Sequence, residues 1–334
     1  MEPSNQLGFF SANKLNVVYN QVASSPAAFT SLFAGDYDIL TATFDNSLNY
    51  RFNLNESVTV LGQLDQGPDL VIASVPSITN ASQLQGKSLM VDSATSGYSY
   101  LLQYVLSTFG LTFADEDFGF QVVGGTATRY SYLIEGTLPN GSDVYATILA
   151  YPLTIQGEAL PAGTAPNILA RISDYIAPIT SSSFMVREST LSNKTQTDIV
   201  TRFVASMLAA NRFLHEPLSA NCSISAIAAQ LGVSEDVAAQ DYASATNLVS
   251  GEVSLGGNFT INLEGALNDV RVREIFDGFS GLPAGFDFAG ALQPGEGQLV
   301  DYLVRDAAVR LYEENRAAWS GNCSRSLSSI RNQT

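Results

Sequence analysis

Short apolar runs and amphipathic stretches take turns along this chain, the pattern of sheets covered by helices. Residues 15–19 (LNVVY) read as a strand with partial alternation. Ser25-Pro26 then gives an N-cap followed by proline, Ala28, Phe29, Leu32 and Phe33 form one helical face, and Gly35 ends it. Residues 38–43, 58–61 and 69–75 predict further strands, the last (DLVIASV) a buried run. No tight hairpin signal joins them, which predicts a parallel, doubly wound sheet.

Residues 84–110 repeat this logic most clearly: turn, buried strand at 88–91, a loop of small residues, then a helix. Ser93, Thr95, Ser96 and Gly97 form the loop; Tyr98, Leu101, Leu102, Val105 and Phe109 recur at helical spacing. A small-residue loop feeding a helix start offers free N–H groups and the positive end of a dipole, a seat for a carboxylate, sulfonate or phosphate. The competing reading is that Ser93 or Thr95 merely caps the helix, and caps outnumber anion sites.

A strand at 120–123, the loop Gly124-Gly125-Thr126 and a helix at 128–134 follow. Next come strands at 144–150 (leading to Tyr151-Pro152 and a helix), 168–172 and 183–187. The remainder is helical, at 195–214, 225–231, from the Ser234 cap onward, 264–276 and 296–315. Crossing segments near 76–83 and 173–180 predict one lobe inserted in another.

At 334 residues, 46% hydrophobic and 14% charged, the chain has ample material for two cores. Its formal charge of −16 argues against nucleic acid and anionic membranes as partners. No apolar run is long enough to span a bilayer. Cys222 and Cys323 suit one bridge. N-x-S/T triplets begin at Asn55, Asn80, Asn140, Asn193, Asn221, Asn258, Asn322 and Asn332, which favours a secreted eukaryotic glycoprotein over a merely Ser/Thr/Asn-rich surface. The polar start at Met1 carries no signal peptide, so the chain reads as mature or truncated.

Catalytic signatures are sparse. There is no Gly-x-Ser-x-Gly elbow, and the single histidine, His215, reads as a helix C-terminal residue. No His/Cys grouping has metal spacing, so no metal or cofactor is expected. Gly124-Gly125-Thr126-Ala127 imitates a phosphate loop without its lysine. Charges are few enough that Arg129, Arg171 and Arg187 stand out; Arg187 is placed either facing a cleft or in a surface salt bridge.

The ordered set SSPAA (24–28), GDYDIL (35–40), DLVIAS (69–74), LQGKSLMVD (84–92), SATSGYSYLL (93–102), GGTATRYSYLIEGTL (124–138), YATILAYP (145–152) and GFSGLPAGFD (278–287) resembles the type II periplasmic-binding-protein superfamily. The resemblance is to the sulfonate/nitrate/taurine-type substrate-binding proteins and their thiamine-pyrimidine-synthase relatives, as a secreted fungal member. It implies a two-lobed α/β fold, each lobe a mostly parallel sheet flanked by helices, with a helical C-terminal extension. Residues 1–77 and 179–334 would form the first lobe, lacking its leading strand, and 83–174 the inserted second lobe. Matching positions imply a cleft set of Phe44, Asp45, Asn46, Gln66, Ser93, Thr95, Ser96, Gly97, Tyr98, Thr126 and Tyr151. Phe44, Tyr98 and Tyr151 are placed to stack on a planar ligand or, equally, to pack in a core. The synthase branch uses an active-site histidine and a cysteine-rich iron motif; this chain lacks clustered cysteines, which argues against that chemistry.

The expectation is a monomeric, extracellular solute-binding protein closing on a small polar ligand, anionic or heteroaromatic. A cleft lyase or dehydratase with Asp45 or Asp92 as base is the alternative. A secreted interaction protein with no ligand is the third reading.

Overall fold

The computed structural model describes residues 7–65, 67–253 and 258–316. Among the described residues eight strands form two sheets: β1 (Leu40–Thr43), β2 (Val58–Gln63), β3 (Val71–Ser74), β4 (Lys87–Val91), β5 (Phe118–Val122), β6 (Ala146–Leu149), β7 (Asn167–Arg171) and β8 (Ser182–Arg187). One sheet has the order β1-β8-β2, the other β5-β4-β6-β3-β7. The helices around them are α1 (Ser25–Ala34), α2 (Phe44–Leu48), α3 (Gly97–Thr108), α4 (Thr126–Glu135), α5 (Leu153–Glu158), α6 (Lys194–Leu214), α7 (Ala220–Leu231), α8 (Glu235–Ala245), α9 (Leu263–Ile275) and α10 (Leu303–Glu314). The fold is mixed α/β with a helical C-terminal part, as the sequence predicts.

Strand directions differ from expectation. β8 runs antiparallel to both β1 and β2, and β3 antiparallel to both β6 and β7, whereas the β4–β5 and β4–β6 pairs are parallel. The reason is connectivity. β3 and β8 are the strands that follow a passage between the sheets, and each enters its new sheet from the opposite side. β3 therefore belongs to the five-stranded sheet, and the passages lie at 64–70 and 172–181. The first passage falls earlier than the predicted 76–83, so residues 71–77 leave the expected first lobe. Residues 76–83 instead link β3 to β4 through a short 3-10 turn at Ala81–Leu84.

Burial follows the strand period. On β8, Phe184 and Val186 face Val200, Phe203 and Val204 of α6, while Met185 faces Phe29 and Leu32 of α1. A third cluster, built on β3, β4 and β6 with Leu102, Val105 and Leu106 of α3, fills the five-stranded half. Residues 15–19 form no strand: Val18 and Tyr19 are exposed, and a run with partial alternation has no sheet edge to hold it. The helix predicted from 296 starts only at Leu303. The main chain ahead of it pairs with β2, Val60 N–H donating to Leu299 O at 2.7 Å and Asp301 N–H to Val60 O at 3.1 Å. No helix among the described residues is long and apolar enough to cross a membrane.

Candidate functional site

A cavity of about 450 Å³ lies between the two sheets. Thr41, Ala42, Thr43 and Ser182 line it from one sheet; Asp92 and Ala150, just past the ends of β4 and β6, line it from the other. Three helices begin on it, at Ser25 of α1, at Ser96 before α3, and at Gly125 and Thr126 of α4. Met207, Ala210, Asn211 and Leu214 of α6 close a further side, with Ile227 of α7 and Ala245 of α8. Strand ends meeting helix starts put backbone N–H groups and the positive ends of helix dipoles on the cavity wall.

A hydrogen-bond chain crosses from one sheet's side to the other. Ser25 donates to Asp92 Oδ2 through its N–H (2.9 Å) and its hydroxyl (2.5 Å). Asn46 Nδ2 donates to Ser25 Oγ at 3.0 Å, and Gly97 N–H donates to Asn46 Oδ1 at 3.2 Å. Asp92 thus occupies the N-terminus of α1, where a carboxylate is favoured. Its other oxygen lies 3.6 Å from Arg129 Nη1.

Arg129 is a cation almost wholly enclosed, 1% exposed, on the cavity wall. It donates to Gly124 O (2.9 Å) and Thr126 Oγ1 (3.1 Å), and its Nε has no hydrogen-bond partner. Burial pulls its pKa down; Asp92 pushes it back up.

A second guanidinium sits behind the cavity. Arg273 of α9 donates through Nε to Asp45 Oδ1 (2.9 Å) and through Nη2 to Asp45 Oδ2 (2.5 Å), with Nη2 also reaching Thr95 O (3.0 Å). Its plane lies over the Tyr100 ring, 4.4 Å from the centroid. This arrangement ties α2 to the loop before α3, and so one half of the molecule to the other.

Acid groups collect by the passages between sheets. Asp65 accepts from Ser182 N–H and from Gln63 Nε2 (2.8 Å), and Ser182 Oγ donates to Glu252 Oε2 at 3.3 Å. Burial is the main cause that pushes Asp65 up to about 7 and Glu252 up to about 8. Asp269, accepting from Thr180 N–H at 3.2 Å, is also raised by burial.

Of the expected cleft residues, Asn46, Ser96, Tyr98, Thr126 and Tyr151 line the cavity. Phe44 does not: it is 0% exposed in the core with Phe29 and Leu48, because α2 turns it inward. Asp45 and Gly97 lie behind Tyr98 in contact with each other, and a Cβ at Gly97 would stand 2.8 Å from Asp45 Cβ. Ser93 and Thr95 hydrogen-bond each other at 3.2 Å on the surface and neither caps α3, whose N-cap is Ser96 with no side-chain cap hydrogen bond. Gln66 lies outside the described residues. Arg171 pairs with Asp69 at 2.7 Å and does not line the cavity; nor do Arg187 and His215. His215 Nε2 meets Val253 O at 3.1 Å just past α6. Asn55, Asn80, Asn140, Asn193 and Asn221 are exposed, while Asn258 is partly buried and accepts from Arg212. Cys222 lies in α7; Cys323, Asn322 and Asn332 lie outside the described residues.

Sequence reasoning missed Ser25 as a wall residue, Asn211, Glu252 and the Arg273 clamp. Arg273 shares its helix with Asp269, Arg271 and Glu274, so no local pattern singles it out. The described residues contain no group of His, Cys, Asp and Glu that could hold a metal ion.

No protein-family profile and no curated protein matches this chain. Solved structures do. A protein from Bordetella bronchiseptica RB50 superposes with a TM-score of 0.66 at 15% identity, over 93% of this chain and 92% of the other. The alkanesulfonate-binding protein SsuA from Xanthomonas axonopodis pv. citri, bound to MOPS, gives 0.62 at 15% identity over 84% and 91%. The Candida albicans CA3427 gene product, described as exhibiting the generic periplasmic binding protein structural fold, gives 0.60 at 16% identity over 93% and 90%. At these identities the likeness is one of architecture, and the architecture of this chain is that of the periplasmic binding proteins.

Proposed function

We propose that this chain is an extracellular solute-binding protein that encloses one small polar molecule between its two sheets. An oxyanion end of the ligand rests against Thr126 at the start of α4 and against Arg129. The observation that carries this reading is the almost wholly enclosed guanidinium of Arg129, a residue lining a roughly metabolite-sized cavity. The first N–H groups of α4 have no carbonyl one turn back, so they add donors where Arg129 adds charge. That an alkanesulfonate-binding protein shares the architecture supports the same direction. The exposed N-x-S/T triplets, and pairing of Cys222 with Cys323, fit an extracellular setting. Asp45 and Asp92, the bases of the lyase or dehydratase alternative, are engaged with Arg273 and with Ser25 and Arg129, which speaks against that alternative.

The test is calorimetry and thermal unfolding with alkanesulfonates and short carboxylates. At least one should bind and raise the melting temperature, and Arg129→Lys should weaken it about tenfold or more, because a point charge replaces the planar fork. A panel with no binder, or binding indifferent to Arg129→Lys, would sink the reading.

A further inference from the structure

Residues 15–22 carry no helix or strand, yet the segment is held at both ends on the three-stranded half. Arg202 of α6 donates through Nη1 to Asn13 O at 2.8 Å, and Ser25 opens α1, whose Phe29 and Leu32 pack with Met185 of β8. Between these anchors the segment reaches the five-stranded half. Gly125 N–H, ahead of α4, donates to Ala23 O at 2.7 Å. Glycines permit the approach: a Cβ at Gly124 would stand 3.1 Å from Ala23 O, and one at Gly125 3.1 Å from Val22 O. Tyr19 and Val22 of the same segment line the cavity.

Two residues on from Ala23, the N–H and hydroxyl of Ser25 both go to Asp92 Oδ2, just past β4. Asn46, on the Ser25 side, donates to the Ser25 hydroxyl and accepts Gly97 N–H from the other half. Helix capping does not require Asp92, because Ser24 is the N-cap of α1 and its side chain accepts from Ala27 N–H. What Asp92 adds is a charged acceptor, 7% exposed and backed by Arg129 of its own half, that grips the opposite half with charge-assisted hydrogen bonds. All these contacts are made by the chain's own groups and need nothing from a guest.

Their placement differs from that of the Arg273 clamp. Asp45 of the clamp lies beside Ile179, Thr180 and Ser181, in the passage at 172–181. Ser25, Asn46, Asp92 and Gly125 lie on the cavity wall. A motion pivoting at the passages leaves the clamp in place and has to break the contacts on the wall.

We propose that residues 22–25 are a strap that latches the two halves over the cavity, with Asp92 as its catch, so that the halves part only when the Ala23 and Ser25 contacts release together. The latch does not depend on what the cavity holds, and its test uses no ligand.

The experiment is amide hydrogen exchange read residue by residue by NMR on the full chain, shown by native mass spectrometry to carry no small molecule. The N–H groups of Ser25, Gly97 and Gly125 should exchange about a hundredfold or more slowly than in a free peptide. Ser25→Ala, which keeps the Ser24 cap, should speed Gly97 and Gly125 about tenfold or more through lost hydrogen bonds to a charged group. Gly125→Val, at a φ of −63° that any residue adopts, presses on Val22 O and should speed Ser25 and Gly97. Val204 and Leu208 of α6 report the fold as a whole, and only exchange gained beyond theirs counts. Free-peptide rates in the wild type, or variants that each alter only the amide they touch, overturn the latch. Arg129-dependent binding of oxyanions alongside that result would keep the solute-binding reading intact.

Discussion

Three buried carboxyls define this protein at the residue scale. Asp65, Glu252 and Asp269 are held above their ordinary values chiefly by burial, which disfavours the charged form. The folded chain therefore keeps protons that the unfolded chain has lost. Between an unfolded value of about 4 and folded values of about 7 for Asp65 and about 8 for Glu252, stability contributed by these groups falls as pH rises. It is fully present below that window and gone above it. Thermal unfolding of the wild type and of Asp65→Asn/Glu252→Gln across this range should show the wild type losing ground to the variant as pH rises. Parallel curves would show that the two carboxyls ionise alike in the folded and unfolded chain. Asp65 and Ser182 could be listed from sequence, but their meeting could not, since Asp65 lies on one passage between the sheets and Ser182 opens β8 just past the other.

Among the elements, α9 does the joining. It packs on both α2 and α3, and its Arg273 binds Asp45 on one side and Thr95 O on the other. Gly97 makes this approach possible, because any side chain there would meet Asp45. Arg273 is 0% exposed, so Arg273→Met should leave Asp45 buried without its cation and cost about 3–5 kcal/mol in urea unfolding. Adding Asp45→Leu should recover much of that loss, since an apolar pair avoids the uncompensated charge. A single-variant loss under about 1 kcal/mol would put the pair in the class of surface contacts. α10 shows the opposite case. Its sequence pattern extends back to 296, yet backbone pairing at Leu299 and Asp301 with Val60 satisfies those groups outside the helix.

For the whole molecule, the two halves are joined by more than the chain's two passages. α8 packs on α5, and α9 bridges α2 and α3, so the C-terminal helices span the cleft on two sides. Cys222 lies in α7, the partner of α8 in this helical layer. A Cys222–Cys323 bridge would fasten the chain's end to that layer and, in the chain-entropy account, stabilise it by about 4–5 kcal/mol. Thiol labelling of the denatured, unreduced protein should find no free thiol; two labelled cysteines would refute the pairing.

The sequence by itself determined the α/β class and most helix positions, because periodicity is a local property of the chain, while the exact starts shifted: the cap of α1 is Ser24 rather than Ser25, and α4 begins at Thr126 rather than 128. It also placed Asn46, Tyr98 and Tyr151 on the cavity side by resemblance. It could not set the direction of β3 and β8, which depends on how the chain passes between sheets. Nor could it separate Phe44 from Asn46, two residues apart on one helix, one turned to the core and the other to the cavity. Only tertiary structure brought Arg273 to Asp45 and Glu252 to Ser182, across 228 and 70 positions of sequence. Pairings over such separations are fixed by packing of whole elements, which no local pattern encodes.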